Sequence, residues 1–424
     1  MPSYPQIFRV RQTFAGPRVQ NVELELESQL VRLNLRQRIQ PAETVAVTAG
    51  SRGIANIAAI TRAIVRHLQA LGALPFIVPA MGSHGGGTAA GQTEVLASYG
   101  ITEQFCGCPV RSSMETVVVC QTAEGFPVHF DRLAYEANHV LVCGRVKPHT
   151  DFDGEIESGL MKMMLIGLGK HEGAKVYHRA IHDYSFAQIV RSVSARVLSE
   201  CRIVAGLAIV ENGYEETARL LGVLPDEFEA REKELLVQAK QWMPRLPFTE
   251  VDLLVIDEIG KDVSGSGMDS NVVGRKFNDH KATGDERPRV RRIALRGLTS
   301  ASHGNAIGIG MAEFCTTRLI QQTDQRTTWI NGLTSGHMSA AMYPLNFDSD
   351  REVLDAALPT IGLRQPLDAR LLWIPNTLHL AEVECSAAYL EEALGRRDLE
   401  IVGELRDLPL GPDGNLPLSA GQWR

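Results

Sequence analysis

Short apolar runs that alternate with helical patterns constrain the fold of this chain most. A β-rich run at residues 44–48 is followed by helical apolar spacing at 57–71 and by a second β-rich run at 75–79. This alternation is typical of βαβ units, in which a helix joins two parallel strands. Three further apolar runs lie at residues 117–120, 140–143 and 203–210. Because they are apolar at consecutive positions, we expect strands covered on both faces, and the fold class is α/β.

A second series of β-rich runs follows the Pro-bearing segment at 243–248. Its predicted strands are residues 251–257, 293–295, 328–330 and 371–374. The length of 424 residues also exceeds the size at which a single core usually stops growing. We therefore predict two α/β domains with mostly parallel sheets and an active-site cleft between them. The N-terminal domain spans 1–246, the C-terminal domain spans 247–400, and 401–424 is a tail without a firm assignment.

Charge and composition favour a small-molecule partner. The formal net charge of −7 provides no basic excess for a nucleic-acid backbone or an anionic membrane. Seven cysteines are scattered along the chain, and the Cys106-Gly-Cys108 pair lacks the spacing of a zinc knuckle or a redox pair. There is no signal-peptide pattern and no apolar run of the roughly 18 residues that span a bilayer. The expected location is the cytoplasm.

One segment concentrates residues that carry chemistry. Between positions 145 and 178 the sequence holds three histidines and four lysines, at 149, 171 and 178 and at 147, 162, 170 and 175. Imidazoles change protonation near neutral pH and bind soft divalent metals, and amines form covalent or phosphate contacts. The segment therefore indicates an active site.

Glycine-bearing loops after the predicted strands offer further candidates, because ligands bind at strand ends in doubly wound sheets. Arg52 lies in Ala49-Gly-Ser-Arg-Gly after the first strand, where it either binds a carboxylate or phosphate or is a surface residue in a turn. His84 lies among glycines after 75–79, where it either faces substrate or bonds locally. The Ser264–Asp269 loop is either an anion nest or a linker.

The order of these residues resembles that of the nickel-pincer nucleotide-dependent lactate racemase superfamily, also called LarA-like proteins. The resemblance covers most of the chain. It rests on Arg52, His84 and His149, on the lysine of Ser158-Gly-Leu-Met-Lys162, and on His178, all in the family's order and at similar spacings. Familiar alternatives such as a Walker loop, an HExxH motif or a serine-hydrolase elbow are not found.

The resemblance implies a cofactor and a mechanism. The cofactor is the nickel-pincer nucleotide, a pyridinium-3,5-bisthiocarboxylic acid mononucleotide that carries nickel, joined covalently to Lys162, with His178 as the protein ligand of the metal. His84 and His149 would act as acid and base, and Arg52 would hold the substrate carboxylate. The implied reaction racemises or epimerises a 2-hydroxyacid by proton-coupled hydride transfer through a 2-keto acid. Separate maturation enzymes would supply the cofactor.

Several positions depart from the family pattern. The acidic residue and proline around the arginine are missing beside Arg52, and Leu160-Met161 stand where Gly-Gly is usual. Lys170 is a second candidate for cofactor attachment and, with His171, for contact with the nucleotide phosphate. Arg275 and Lys276 are candidate cofactor-binding residues, and one or the other is expected to replace a cationic group of the C-terminal domain. These changes indicate a substrate other than lactate, such as a charged or polyhydroxylated acid.

Other interpretations stay open at this point. His149 also fits a turn cap, and Lys162 fits an exposed helix position. His84, His149 and His178 could instead form a zinc-type hydrolase or lyase site. A noncatalytic protein that binds nucleotides or acids without a loaded cofactor is the third possibility.

Overall fold

The computed structural model describes residues 4–51, 53–181 and 183–417, with every side chain in them except that of His178. The strands are β1 Ile7–Gln12, β2 Thr44–Ala49, β3 Leu74–Pro79, β4 Thr116–Gln121, β5 Pro127–Asp131, β6 His139–Arg145, β7 Ile203–Glu211, β8 Thr217–Val223, β9 Glu250–Ile259, β10 Arg289–Leu298, β11 Phe314–Thr316, β12 Leu345–Phe347, β13 Leu371–Ile374, β14 Glu382–Ser386 and β15 Leu399–Arg406.

The α-helices are α1 Val22–Arg32, α2 Ile57–Ala70, α3 Ala89–Ser98, α4 Glu103–Cys106, α5 Arg132–Glu136, α6 Leu160–Lys162, α7 Lys170–Ala180, α8 Phe186–Glu200, α9 Phe228–Trp242, α10 Ser270–Val273, α11 Thr317–Gln322, α12 Gln325–Ser335, α13 Asp350–Ala357 and α14 Leu390–Leu394. Met163–Gly167 forms a π-helical turn between α6 and α7. In α2, the buried residues Ile57, Ile60, Ile64 and Leu68 recur every three or four positions, the spacing that brings one helix face onto a sheet.

A five-stranded sheet organises one of two compact units, formed by Gly16–His149 and Asp153–Met243. Its strand order is β3-β2-β6-β7-β8. The first four strands pair in parallel and β8 is antiparallel to β7. Since parallel strands end at the same edge, the loops after β2, β3 and β6 come together there.

An eight-stranded sheet organises the other unit, which comprises the chain up to Ala15, residues 150–152 and the chain from Pro244 onward. Its order is β12-β11-β10-β9-β13-β14-β1-β15. The strands from β12 to β13 pair in parallel, whereas β14, β1 and β15 pair antiparallel. The predicted α/β class with mostly parallel sheets is therefore confirmed.

The units divide the chain differently from a single cut at 246. β1 pairs with β14 and β15, so the first strand belongs to the sheet of the C-terminal region. β15 lies at 399–406, across the start of the segment assigned as a tail. The predicted boundary itself stays a prediction. In the described residues, no helix is both long and apolar enough to cross a membrane.

Two predicted strands differ from the structure. Residues 328–330 lie inside α12, because Asp324 caps a helix that outlasts the short apolar run. Residues 117–120 do form β4, but β4 pairs only with β5 and is half-exposed rather than covered on both faces. The apolar run at 328–330 was too short to distinguish a helix from a strand, and the run at 117–120 was too short to distinguish a covered strand from a half-exposed one.

Candidate active site

Among the described residues, the loops after β3 and β6 carry the predicted site residues His84 and His149, whereas Lys162, Lys170 and His171 lie on α6 and α7. Met163, in the π-helical turn, fills the space beside the ends of β2 and β6. Its side chain would lie 3.6 Å from a Cβ at Gly50 and 2.8 Å from one at Gly144. The helical segment that follows Lys162 is thus packed directly against the carboxyl edge of the sheet.

Side chains at the ends of β6 and β7 hold the backbone of the loop after β2. Arg145 Nη1 donates to the carbonyl oxygen of Gly53 at 3.0 Å and also forms an ion pair with Glu211. Glu211 in turn accepts from the Ala55 N–H at 2.6 Å. Arg52, which the sequence predicts to bind the substrate carboxylate, lies outside the described residues.

His84 lies in the loop after β3 and contacts the loop after β2. Its Nδ1 is 2.5 Å from Ser51 Oγ, and the Tyr99 hydroxyl donates to the Ser51 carbonyl oxygen at 3.0 Å. The imidazole is half-buried. This bond fixes the orientation of the ring, as the partner of one ring nitrogen does in acid–base histidines.

His149 is held by a buried carboxylate. Glu157 accepts from the His149 N–H at 2.7 Å and from the Gly154 N–H at 3.2 Å. Its side chain is fully buried, and Lys240 Nζ lies 2.6 Å from it. Burial alone would lower the pKa of Lys240, but its bonds to Glu157 and Asp153 raise that pKa overall. The His149 loop is therefore ordered by a charged cluster.

Phe186, the first residue of α8, brings Lys162 and His149 to one ring. The Lys162 Nζ lies 5.7 Å from the Phe186 ring centroid, within the range of a cation–π interaction. The His149 ring stacks on Phe186 with centroids 6.3 Å apart. α8 starts at a capping box, in which Ser185 and Gln188 satisfy each other's backbone N–H groups.

The turn that precedes Lys162 is held by Glu232 of α9. Glu232 accepts from the Met161 N–H at 3.0 Å. A Cβ at Gly159 would lie 2.7 Å from its carboxyl group, so only glycine fits there. Glu232 is buried, and its Oε1 has no hydrogen-bond partner among the described residues. Burial raises the pKa of this carboxyl to about 8.

Lys170 is buried at the start of α7. Its Nζ lies 2.6 Å from the Pro79 carbonyl oxygen, 3.1 Å from Gln92 Oε1 and 3.1 Å from Asp131 Oδ2. Burial lowers the pKa of Lys170 and raises the pKa of Asp131, against their mutual attraction. The predicted nucleotide contact of Lys170 stays a prediction.

The two histidines of α7 are seven residues apart, or two helical turns. His171 is half-buried, and its Nδ1 is a buried atom without a hydrogen-bond partner among the described residues. The side chain of His178, the predicted metal ligand, lies outside the described part. Among the described side chains, no three His, Cys, Asp or Glu converge on a metal site.

Arg275 and Lys276 belong to the other unit. Arg275 is buried and forms an ion pair with Glu313 at 3.0 Å, and its Nη2 donates to the Val290 carbonyl oxygen at 3.1 Å. Lys276 is half-buried, and its N–H donates to Glu286 at 2.7 Å. Their predicted contacts with the cofactor stay predictions.

The structure brings the predicted residues together in two groups: His84 with the Ser51 loop, and Lys162 with His149 around Phe186. Sequence reasoning missed the residues that hold them, namely Ser51, Phe186, Glu157 and Glu232. Ser51 directly precedes Arg52, and Phe186 lies within a Ser-x-x-Gln capping pattern, so both had a local signal. Glu232 had none, because its backbone partner is 71 residues away, and Glu157 bonds to backbone groups of a loop that follows no regular pattern.

Comparison with known proteins is consistent with this geometry. Residues 17–188 match the lactate racemase N-terminal domain. The fold is similar to that of the lactate racemase apoprotein from Thermoanaerobacterium thermosaccharolyticum, with a TM-score of 0.54 and 11% sequence identity. That likeness covers 87% of this chain and 94% of the other. No curated protein matches the chain in sequence. The chain thus contains a segment similar to the lactate racemase N-terminal domain and shares the fold of the lactate racemase apoprotein.

Proposed function

We propose that the protein is an isomerase that racemises or epimerises a 2-hydroxyacid, using a nickel-pincer nucleotide attached to Lys162. The observation that carries the proposal is the convergence of Lys162 and His149 on the ring of Phe186, within the lactate racemase N-terminal domain. An attachment amine and an acid–base group must flank the same substrate in such a reaction.

The residues around Lys162 suit this cofactor. An aromatic face beside the amine provides a flat, apolar surface of the kind that aromatic rings pack against. On α7, the buried Nδ1 of His171 is a polar atom without a hydrogen-bond partner among the described residues. Lys162 would hold the group covalently and His178 would bind its nickel, for which imidazole is a suitable ligand. When bound, the group supplies an electron-poor centre that accepts and returns hydride.

The chain's own groups would manage protons and orientation. The Cα–H of a 2-hydroxyacid is too weak an acid for direct removal by histidine, so the hydroxyl proton is the one taken. His84 and His149 would take and return that proton from opposite sides of a planar 2-keto acid. Arg52 would hold the carboxylate bidentately, which a lysine cannot do.

The proposal is tested on protein co-expressed with cofactor maturation enzymes. A panel of enantiopure 2-hydroxyacids, including charged and polyhydroxylated acids, is followed by chiral chromatography, and the intact mass is measured in parallel. We expect inversion of at least one acid and an added mass that Lys162→Ala abolishes. Lys175→Ala is the matched control, because Lys175 is an exposed amine of the same helical segment, and it should change neither result.

The remaining interpretations are outcomes of the same experiment. Turnover by a chain of unmodified mass, with zinc bound, would instead support a zinc-type hydrolase or lyase. A chain that stays unmodified and inactive beside the maturation enzymes would support a noncatalytic binding protein. Either result would contradict the proposal.

A further inference from the structure

We infer that Lys170 is a positioning residue which, through Gln92, ties the His84 loop to the helical segment that carries Lys162. The inference rests on the proposed function for the role of His84. It assigns to Lys170 a role within the protein in place of cofactor attachment or phosphate contact.

The Lys170 ammonium is surrounded by oxygen atoms of the protein. A lysine ammonium has three N–H donors and no acceptor. Lys170 has three oxygen partners within 3.1 Å, on Pro79, Gln92 and Asp131. Its side chain is fully buried. Two of these contacts are hydrogen bonds, to Pro79 and Gln92, and the third is the ion pair with Asp131, so the buried ammonium already has its counter-charge within the protein.

Gln92 extends this contact to the loop. Gln92 is fully buried in α3, and its Oε1 accepts from Lys170. Its Nε2 donates to the Gly82 carbonyl oxygen at 2.9 Å and to the His84 carbonyl oxygen at 3.4 Å. One side chain thus joins the ammonium to the backbone on which His84 is mounted.

The loop that carries His84 packs closely against α3 and the π-helical turn, so a change in the contacts of Gln92 should alter the loop. A Cβ at Gly85 would lie 2.6 Å from the backbone of Gly91, and one at Gly82 would lie 3.2 Å from Ile166. The φ of Lys170 is +54°, a conformation that is strained for a residue other than glycine. The buried contacts of the Lys170 side chain offset this backbone strain.

Two variants test the tie by different routes. Lys170→Met with Asp131→Asn removes both buried charges together and keeps an oxygen at residue 131, which caps α5. Gln92→Leu leaves the ion pair and removes the hydrogen bonds that join Lys170 to the backbone of Gly82 and His84. Lys175→Met is the control, since its ammonium pairs with exposed Glu172 on the surface.

The first readout is hydrogen exchange of the peptide at 81–88 in the chain without cofactor, so it does not depend on activity. We expect at least about tenfold faster exchange in both test variants and parental exchange in the control. In loaded protein we expect the added mass to remain on Lys162 and kcat to fall about tenfold with KM little changed.

Parental exchange at 81–88 in both test variants would overturn the inference. So would an added mass that disappears with Lys170→Met but survives Lys162→Ala. Failure of the parent protein to invert any 2-hydroxyacid would contradict the proposed function alone, because the exchange measurement still decides whether the tie exists.

Discussion

Two buried carboxyl groups contact the N-terminal ends of α6 and α7 in different ways. Asp131 meets Lys170 at the start of α7 and has a counter-ion at 3.1 Å. Glu232 meets Met161 at the start of α6 and, among the described residues, has no ion-pair partner. Burial of a charge without a partner costs free energy. The stability of the fold should therefore depend on the ion pair at the start of α7, and on pH through Glu232 at the start of α6.

Removal of the counter-ion should have the largest effect. Lys170→Met leaves Asp131 buried without its cation, and we expect the free energy of unfolding to fall by about 3–5 kcal/mol. Denaturant unfolding at pH 7 measures this. Asp131→Asn added to Lys170→Met should recover part of the loss. A loss below about 1 kcal/mol in the single variant would show that the pair is not the stabilising contact.

The unpaired end should make stability depend on pH. The folded pKa of Glu232 is raised to about 8 from an ordinary value of 4.5, so the folded state binds more protons between these values. Its contribution is most favourable below pH 4.5 and is lost as the pH rises through 8. One pKa unit corresponds to about 1.4 kcal/mol, and the shift from 4.5 to about 8 spans more than three units, so the loss amounts to several kcal/mol.

Glu232→Gln keeps an oxygen for the Met161 N–H and cannot ionise. In thermal unfolding between pH 5 and 9, this variant should lose less stability than the parent as the pH rises. Glu234→Gln, at an exposed position of the same helix, is the control and should follow the parent. Identical pH profiles for Glu232→Gln and the parent would refute the interpretation of Glu232 as an unpaired buried acid.

Phe186, the first residue of α8, should contribute moderately to turnover. Phe186→Leu keeps apolar volume but removes the ring shared by Lys162 and His149. The loss of the ring's packing contacts with these two side chains, worth about 0.5–1 kcal/mol, predicts a fall of about two- to fivefold in kcat/KM. Initial rates measure this. Phe105→Leu removes the ring beneath Arg62, a similar contact elsewhere, and should leave the rate unchanged.

The cap that places Phe186 should have a small effect, seen in stability and not in turnover. Ser185→Ala removes the side chain that accepts from the Gln188 N–H. We expect a loss of about 1 kcal/mol in unfolding free energy. Ser199→Ala, near the other end of α8, serves as comparison, because its hydroxyl bonds only locally. Equal losses in the two variants would mean that the capping box adds nothing specific.

The strands and site residues could be predicted from the sequence wherever neighbouring residues carried the pattern. Consecutive apolar residues predicted β2, β3, β6 and β7, and the order of polar residues after them predicted the candidate site. The pairing of β1 with β14 and β15 joins residues nearly 400 positions apart, which no local pattern records.

The same limit applies to the site. A Gly-Lys-His-Glu-Gly sequence gives Lys170 the pattern of an accessible cation. Its burial depends on Asp131 and Gln92, which are 39 and 78 residues away, respectively. Long-range partners of this kind decide whether a charged side chain is buried or binds a ligand, and they become visible only in the fold.

Peptide mapping by mass spectrometry, on protein co-expressed with maturation enzymes, tests the central claim most directly. The account predicts a modified peptide that contains Lys162, with Lys170 unmodified in the same sample. Modification of Lys170, or an unmodified Lys162 in protein that inverts a 2-hydroxyacid, would contradict it.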